Sequence, residues 1–208
     1  DPNKSYHSCR TSILKNIDIN HFLCVKYTRM IKHHESRQNI KIAVDNAIVS
    51  IKDGVLSVLL IQMKKSPFEK MWALPGGLLE EDETTLSAAS RILKTQTAVT
   101  DVFLEQLATF DDIDRDPAGR VVSVAYYALV PDEHTQIKTT NKYADVRWWP
   151  VKKLHPLAYD HKMLVKEAME RIAAKIQYTN IVWSLLPKEF TLTELQQVYE
   201  IILGKNLD

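Results

Sequence analysis

Gly76-Gly77-Leu78-Leu79-Glu80-Glu81-Asp82-Glu83-Thr84-Thr85-Leu86-Ser87-Ala88-Ala89-Ser90-Arg91-Ile92-Leu93-Lys94-Thr95-Gln96-Thr97-Ala98-Val99 decides how this chain folds. A glycine pair, reached through Trp72-Ala73-Leu74-Pro75, opens a loop of four consecutive acids. The loop then runs into a helix with Asp82 as candidate cap and Leu86, Ala89 and Leu93 as candidate buried stripe.

The flanks on both sides read as strands. Ile40, Ile42 and Val44 alternate with polar or small residues, and Ala47-Ile48-Val49-Ser50-Ile51 runs into Asp53-Gly54 and returns as Val55-Leu56-Ser57-Val58-Leu59-Leu60-Ile61. Asp-Gly between two such runs predicts a hairpin, because both turn residues must take positive φ. Further strands are expected at about 103–110 and 120–130 and at Val146-Arg147-Trp148-Trp149-Pro150-Val151, with Trp148 and Trp149 as core or interface residues. A helix is expected over 158–175, with Leu164, Ala168 and Ile172 on one face. Strands of this kind with helices on both faces make an α/β fold, an α/β/α sandwich with a mixed sheet.

The quoted stretch resembles a Nudix box. That pattern is Gly, five residues, Glu, seven residues, Arg-Glu, an aliphatic, any residue, Glu-Glu, any residue, Gly and an aliphatic. Gly77, Glu83 and Arg91 occupy its head. Its tail falls on Ile92, Leu93, Thr95, Gln96, Ala98 and Val99, so the three tail carboxylates are replaced by Ile92, Thr95 and Gln96. Mg2+ and Mn2+ prefer anionic oxygen ligands. A hydroxyl and a neutral amide do not supply the charge that holds the ion and activates water. The resemblance therefore implies a Nudix fold without ordinary hydrolysis, with no cofactor required and no metal expected. Glu80, Glu81 and Glu83 are the remaining weak candidates for a cation.

Phe110-Asp111-Asp112-Ile113-Asp114-Arg115-Asp116-Pro117-Ala118-Gly119-Arg120 with Val121 to Tyr127 resembles the loop and strand of ADP-ribose pyrophosphatase-like Nudix proteins. That likeness implies that Arg115, Asp116 and Arg120 lie beside an ADP-ribose-like ligand. Arginine suits phosphate because its planar fork is permanently charged. Gly76 and Gly77 would let the backbone approach a pyrophosphate.

Beyond Tyr178 the pattern changes. Ile181, Val182, Leu185 and Leu186 form a short apolar face ended by Pro187. Thr191-Leu192-Thr193-Glu194 is a capping-box signature. Leu195, Val198, Tyr199 and Ile202 follow at i, i+3, i+4 and i+7, and Gly204 is placed to stop the helix. Two short helices so closely spaced suggest the start of a helix-turn-helix. Phe190 to Glu200, with Ile201-Ile202-Leu203-Gly204 and Asn206-Leu207-Asp208, resembles the winged helix of Nudix-related transcriptional regulators of NAD or sugar-utilisation genes. The expected organisation is an extension of unknown role at 1–38, a Nudix-like domain at 39–177, and the N-terminal part of a winged-helix DNA-binding domain at 178–208. Thr191 and Thr193 are the candidate DNA-binding residues. The recognition helix would follow Asp208, and the basic residues after Tyr159 are matched by acids, so this stretch offers no surplus of positive charge to phosphates.

The chain has 208 residues, 45% hydrophobic and 25% charged, and a formal net charge of +1. That length accommodates one full core and a small second one. No apolar run approaches the roughly 20 residues that cross a bilayer, so no membrane partner is expected. The near-zero charge gives no general attraction to nucleic acid. Cys9 and Cys24 lack metal-ligand spacing, and a cytoplasmic, reduced protein is the expectation. In the extension, Ile13, Ile17, Phe22, Val25 and Ile31 are candidates for packing helices and His33-His34 for a solvated turn.

Taken together, the resemblances cover about residues 40–208 and imply a repressor. Its degenerate Nudix domain would bind an ADP-ribose-like or sugar effector, and operator DNA would be held by a homodimer. The alternative is a divergent Nudix hydrolase, with Mg2+ or Mn2+ held by Glu80, Glu81, Glu83 and Glu105, cleaving ADP-ribose or a related nucleoside diphosphate derivative.

Overall fold

The structure is a computed structural model that describes residues 39–132, 137, 138 and 140–207. The candidate helices of the extension, Cys9, Cys24 and His33-His34 lie outside the described residues. From Ile40 onward the chain belongs to one compact unit.

The Asp53-Gly54 hairpin joins β1 (Lys41–Lys52) to β2 (Val55–Met63). Asp53 has φ 49° and Gly54 φ 71°, the two positive values that let a two-residue turn follow the right-handed twist of its strands. Two short strands follow, β3 (Trp72–Ala73) and β4 (Gly76–Leu78). The helix of the quoted stretch is α1 (Thr85–Thr97). β5 (Glu105–Phe110), β6 (Val121–Leu129) and β7 (Tyr143–Pro150) complete the strands. The sheet is mixed: β1 and β6 pair in parallel, and the order is β3-β2-β1-β6-β5, with β4 on β1 and β7 on β2.

Alternation along the central strands divides the apolar residues between two cores. Ala47 and Val49 of β1, Val58 and Leu60 of β2, and Ala125, Tyr127 and Leu129 of β6 face one layer. Val44 and Ile48, Leu59 and Ile61, and Tyr126 and Ala128 face the other. The first core is covered by α2 (His161–Lys175), through Leu164, Val165, Ala168 and Ile172. The second is covered by α1, through Ala88, Ala89, Ile92 and Leu93. This is the sandwich expected of a sheet that is apolar on both faces. Trp149 packs at the first core and Trp148 at the second, as expected for core-type residues.

The helix of the quoted stretch departs from expectation at its start. Thr84, not Asp82, is the cap, and its hydroxyl accepts from the Ser87 N–H at 3.1 Å. Leu86 is 49% exposed. The buried stripe comprises Ala88, Ala89, Ile92 and Leu93, and Leu86, in the first turn, lies outside it.

The end of the chain packs onto the first core. Ile181–Leu185 forms a 3-10 turn rather than an α-helix, burying Val182 and Leu185. α3 (Leu192–Leu203) begins with the expected capping box, in which the Thr191 hydroxyl accepts from the Glu194 N–H and the Glu194 carboxylate accepts from the Thr191 N–H at 2.7 Å. Gly204, at φ 67°, ends it. Val198 is buried, with Leu195, Tyr199 and Ile202 partly buried against the same core. No helix among the described residues is long and apolar enough to cross a membrane.

Candidate functional site

A cavity of about 340 Å³ opens between the start of β1, the β4 turn and the loop that precedes β6. Its floor is polar and buried. Asp45 of β1 is 5% exposed, and one of its carboxylate oxygens accepts from the Ser123 hydroxyl at 2.6 Å and from the Arg115 guanidinium at 3.3 Å. Arg115 also grips Asp160 with two N–H groups, at 2.7 and 2.9 Å. Asp160 stands at the N-cap of α2 but makes no capping bond with its side chain, which is directed to Arg115. His161 lies next in the chain. Its Nδ1 accepts the Leu74 N–H at 2.9 Å and its Nε2 faces Asp45 at 3.5 Å. An accepting Nδ1 carries no proton, so the imidazole is fixed as the Nε2–H tautomer, directed at the carboxylate. Burial alone would push the Asp45 carboxyl up. His161, Ser123 and Arg115 outweigh it and hold the group below the usual carboxylate range.

Aromatic groups line the wall. Tyr159 has φ 55°, a left-handed conformation rare for a bulky residue, and its ring lies 4.3 Å from that of Phe68 and 5.1 Å from that of His161. The Tyr143 hydroxyl is pushed up to about 12, first by burial and then by the charge on Asp45. It remains a neutral phenol, able to donate.

Of the tail positions of the box, Ile92 and Gln96 are buried and Thr95 is exposed. Ile92 is fully buried in the core under α1. The Thr95 hydroxyl donates to the Arg91 carbonyl at 2.8 Å. Gln96 binds the backbone of Gly76 at both ends: its Oε1 accepts the Gly76 N–H at 3.2 Å, and its Nε2 donates to the Gly76 carbonyl at 2.7 Å. A carboxylate can make only the first of these bonds, since it has no proton to donate. Glu83, the acid kept from the head of the box, is held by Arg91 at 2.8 Å and accepts the Glu80 N–H at 2.8 Å. Its hydrogen bond from Arg91 brings its pKa down to about 2. Glu80 makes a looser pair with Arg91 at 3.3 Å, and Glu81 is exposed. Glu105 lies elsewhere, bound to Lys175. Among the described residues no group of three or more His, Cys, Asp or Glu side chains is placed to hold a metal ion. The donor set therefore does not fit the Mg2+ or Mn2+ of a catalytic Nudix box.

The sequence candidates are distributed unevenly around the cavity. Gly76, Gly77, Arg115 and Asp116 line it, whereas Arg120 does not and instead donates to the carbonyls of Asp111 and Asp112 at 2.7 and 3.0 Å. A Cβ on Gly76 would lie 2.0 Å from the Asp45 carboxylate, so glycine is required there by Asp45 itself. At Gly77 a Cβ would meet only Ile92 and Gln96, at 3.6 Å and beyond. Thr191 spends its hydroxyl on the start of α3, and Thr193 is exposed. Sequence reading missed Asp45, Tyr143, Tyr159, Asp160 and His161. The one local signal was a charged residue inside the apolar run from Ile42 to Ser50, where a buried strand has no use for an unpaired carboxylate.

A mixed sheet between two helical layers, with a glycine-opened loop-helix at one cavity wall, defines a Nudix-type domain with Ile92, Thr95 and Gln96 at the tail positions of its box. The NUDIX domain pattern matches residues 41–171, and the NrtR DNA-binding winged helix domain matches residues 182–208. The chain is 42% identical over 169 residues to the ADPR responsive transcriptional repressor NtrR of Acinetobacter baylyi, covering 79% of this chain and 67% of that protein. It also resembles the crystal structure of Shewanella oneidensis NrtR complexed with a 27mer DNA, at 38% identity and TM-score 0.73, covering 80% of this chain and 77% of that one. The NUDIX domain of the same Shewanella protein, complexed with ADP ribose, matches at 34% identity and TM-score 0.61 over 70% of this chain and 97% of that one. The chain belongs to the NUDIX domain family, in the branch that joins this domain to an NrtR-type winged helix.

Proposed function

We propose that this protein is a transcriptional repressor in which the Nudix domain, residues 39–177, binds an ADP-ribose-like effector and residues 178–208 begin the DNA-binding element. The observation that carries this reading is the Gln96 amide fastened to both backbone groups of Gly76. It stands where a catalytic box needs a carboxylate, and beside it the cavity remains open. A pocket kept without its hydrolytic acids suits recognition rather than turnover. The relative from Acinetobacter is named as ADPR responsive, and the Shewanella relative has been crystallised with ADP ribose and with DNA.

The protein acts as a cytoplasmic homodimer that presents two winged helices to an operator, since half-site spacing restricts the geometry DNA accepts. ADP-ribose binding releases DNA by favouring the arrangement of the two elements that fits the operator less well. A ligand shifts such an equilibrium only through its difference in affinity for the two states. The residues offered for the effector are Gly76, Gly77 and Asp116 at the wall, with Arg115 holding that wall in place.

The test has two measurements on the full chain. ADP-ribose is titrated calorimetrically and then added to a fluorescence-anisotropy assay with DNA from upstream of the protein's own gene. In parallel, hydrolysis of the ADP-ribose pyrophosphate bond to AMP and ribose 5-phosphate is followed with Mg2+ and with Mn2+. Stoichiometric binding, a weakened DNA complex and no turnover are expected. Cleavage at about one per second or faster, ordinary for an enzyme, or DNA binding indifferent to ADP-ribose, overturns the proposal.

A further inference from the structure

The arginines that sequence reading offered to a phosphate are both occupied. Arg115 is shared between two carboxylates, Asp45 and Asp160, and its side chain is almost wholly enclosed. Arg120 is turned away from the cavity and bound to two carbonyls of its own loop. With two carboxylates against one guanidinium, the floor around Asp45 is net negative and repels an anion. The phosphate groups of a nucleotide would therefore have to lie elsewhere in this cavity.

Two cations remain at its mouth. Lys41 opens β1, opposite Val121 of β6, and Lys142 stands just before β7. Both line the cavity and both are exposed. Among the described residues the Lys41 ammonium has no carboxylate within salt-bridge distance, and the Lys142 ammonium lies over the Tyr143 ring at 5.4 Å. An ammonium without a carboxylate partner, at the rim of a pocket with a negative floor, offers its charge to an incoming anion.

We propose that Lys41 and Lys142 together form the anion anchor of this pocket. They clamp the diphosphate of a nucleoside diphosphate ligand at the rim, while its uncharged portion enters toward Tyr143 and Tyr159. The assignment rests on the effector-pocket reading above and specifies how the ligand lies within it. The polarity follows from charge: the phosphates stay with the lysines because Asp45 remains ionised beneath them. The inner end of the ligand meets aromatic surface and the neutral Tyr143 phenol, which can donate a hydrogen bond.

The experiment compares ADP-ribose with adenosine, which lacks phosphates, by calorimetry on the full chain and on K41M, K142M, the double variant and R120M. Each lysine variant should lose about tenfold or more in ADP-ribose affinity, the size of a charge-assisted hydrogen bond. Adenosine affinity should change less than about twofold, because the charge term is absent. Raising salt should weaken ADP-ribose binding to wild type far more than to the double variant. Because both ammonium groups are exposed, unchanged thermal melting separates lost contacts from lost folding, and Lys142→Arg should retain binding. If wild type binds ADP-ribose but the lysine variants match it, lose adenosine equally, or are surpassed in loss by R120M, the anchor assignment is overturned. If wild type binds no ADP-ribose, the effector reading itself fails.

Discussion

Two charged constellations differ in almost everything: one lines the cavity, and the other reaches it only through the Leu78 carbonyl that Arg91 binds. The pair formed by Glu83 and Arg91 lies within one continuous stretch of chain, is solvent-accessible and ties the acidic loop to α1. The group of Asp45, Arg115, Asp160 and His161 draws on three separate parts of the chain, is buried and joins β1, the loop before β6 and α2. The first carries the recognisable motif, yet the second builds the floor of the pocket. A motif marks ancestry at a fixed spacing, while a pocket is assembled wherever the fold brings complementary groups together.

The largest effect that would separate the two regions is Asp45→Ala. It leaves Arg115 short of a partner and His161 without its acceptor in a buried setting, where removing one member of an ion pair costs about 3 to 5 kcal/mol. Urea denaturation should show that loss, and Glu83→Gln should show only a small fraction of it. Equal losses would abolish the contrast between a buried network and a partly exposed pair.

Next comes the glycine pair. Gly76→Ala forces its Cβ into an Asp45 carboxylate that Ser123 and Arg115 hold in place. Such overpacking costs about 1 to 3 kcal/mol, and ADP-ribose binding should fall with it. Gly77→Ala meets only ordinary contacts. It should melt near wild type, and equal damage at both positions would show that the backbone, rather than Asp45, demands glycine.

Gln96→Glu restores an acid to the box and tests whether the amide is structural. The carboxylate loses the bond to the Gly76 carbonyl and should destabilise the protein by about 1 to 3 kcal/mol, the cost of an unsatisfied buried partner. It should form no AMP and ribose 5-phosphate from ADP-ribose with Mg2+, because Ile92 and Thr95 still stand at the other two acid positions. Turnover by this single variant would show that one restored acid is enough for hydrolysis.

Ala98 ends α1 at φ 62°, where the Nudix pattern has glycine. Ala98→Gly relieves a left-handed Cβ contact and should stabilise by about 1 kcal/mol, seen as a raised melting temperature. The smallest expected effect belongs to Glu83. Its pKa falls from 4.5 to about 2 because of the Arg91 hydrogen bond. A depressed folded-state value stabilises at pH above 4.5 and loses that contribution as pH falls through about 2. The stability gap between wild type and Glu83→Gln should stay level down to about pH 4.5 and shrink below it. A gap that grows in acid contradicts the ion pair.

Much of the fold was legible because its signals are local. Asp53-Gly54 required a hairpin through the φ values of two adjacent residues, and Thr191 with Glu194 announced a helix start through bonds spanning three residues. The start of α1 was misplaced by two residues because several adjacent polar residues compete for the cap, and packing chose Thr84. In the cavity, Gly76, Gly77, Arg115 and Asp116 were found through the resemblance to Nudix proteins, whereas Arg120 was grouped with them and the loop turned it away.

The sequence by itself determined the sandwich, the missing tail acids and the capped helical end, since alternation, helical period and side-chain chemistry are written in neighbouring residues. Only the tertiary structure decided that Gln96 clasps Gly76, that Arg115 is neutralised by Asp45 and Asp160, and that Lys41 and Lys142 line one cavity. Those relations join residues 20 to more than 100 positions apart, and a pairing of that range depends on how strands and helices pack, not on what stands next in the chain.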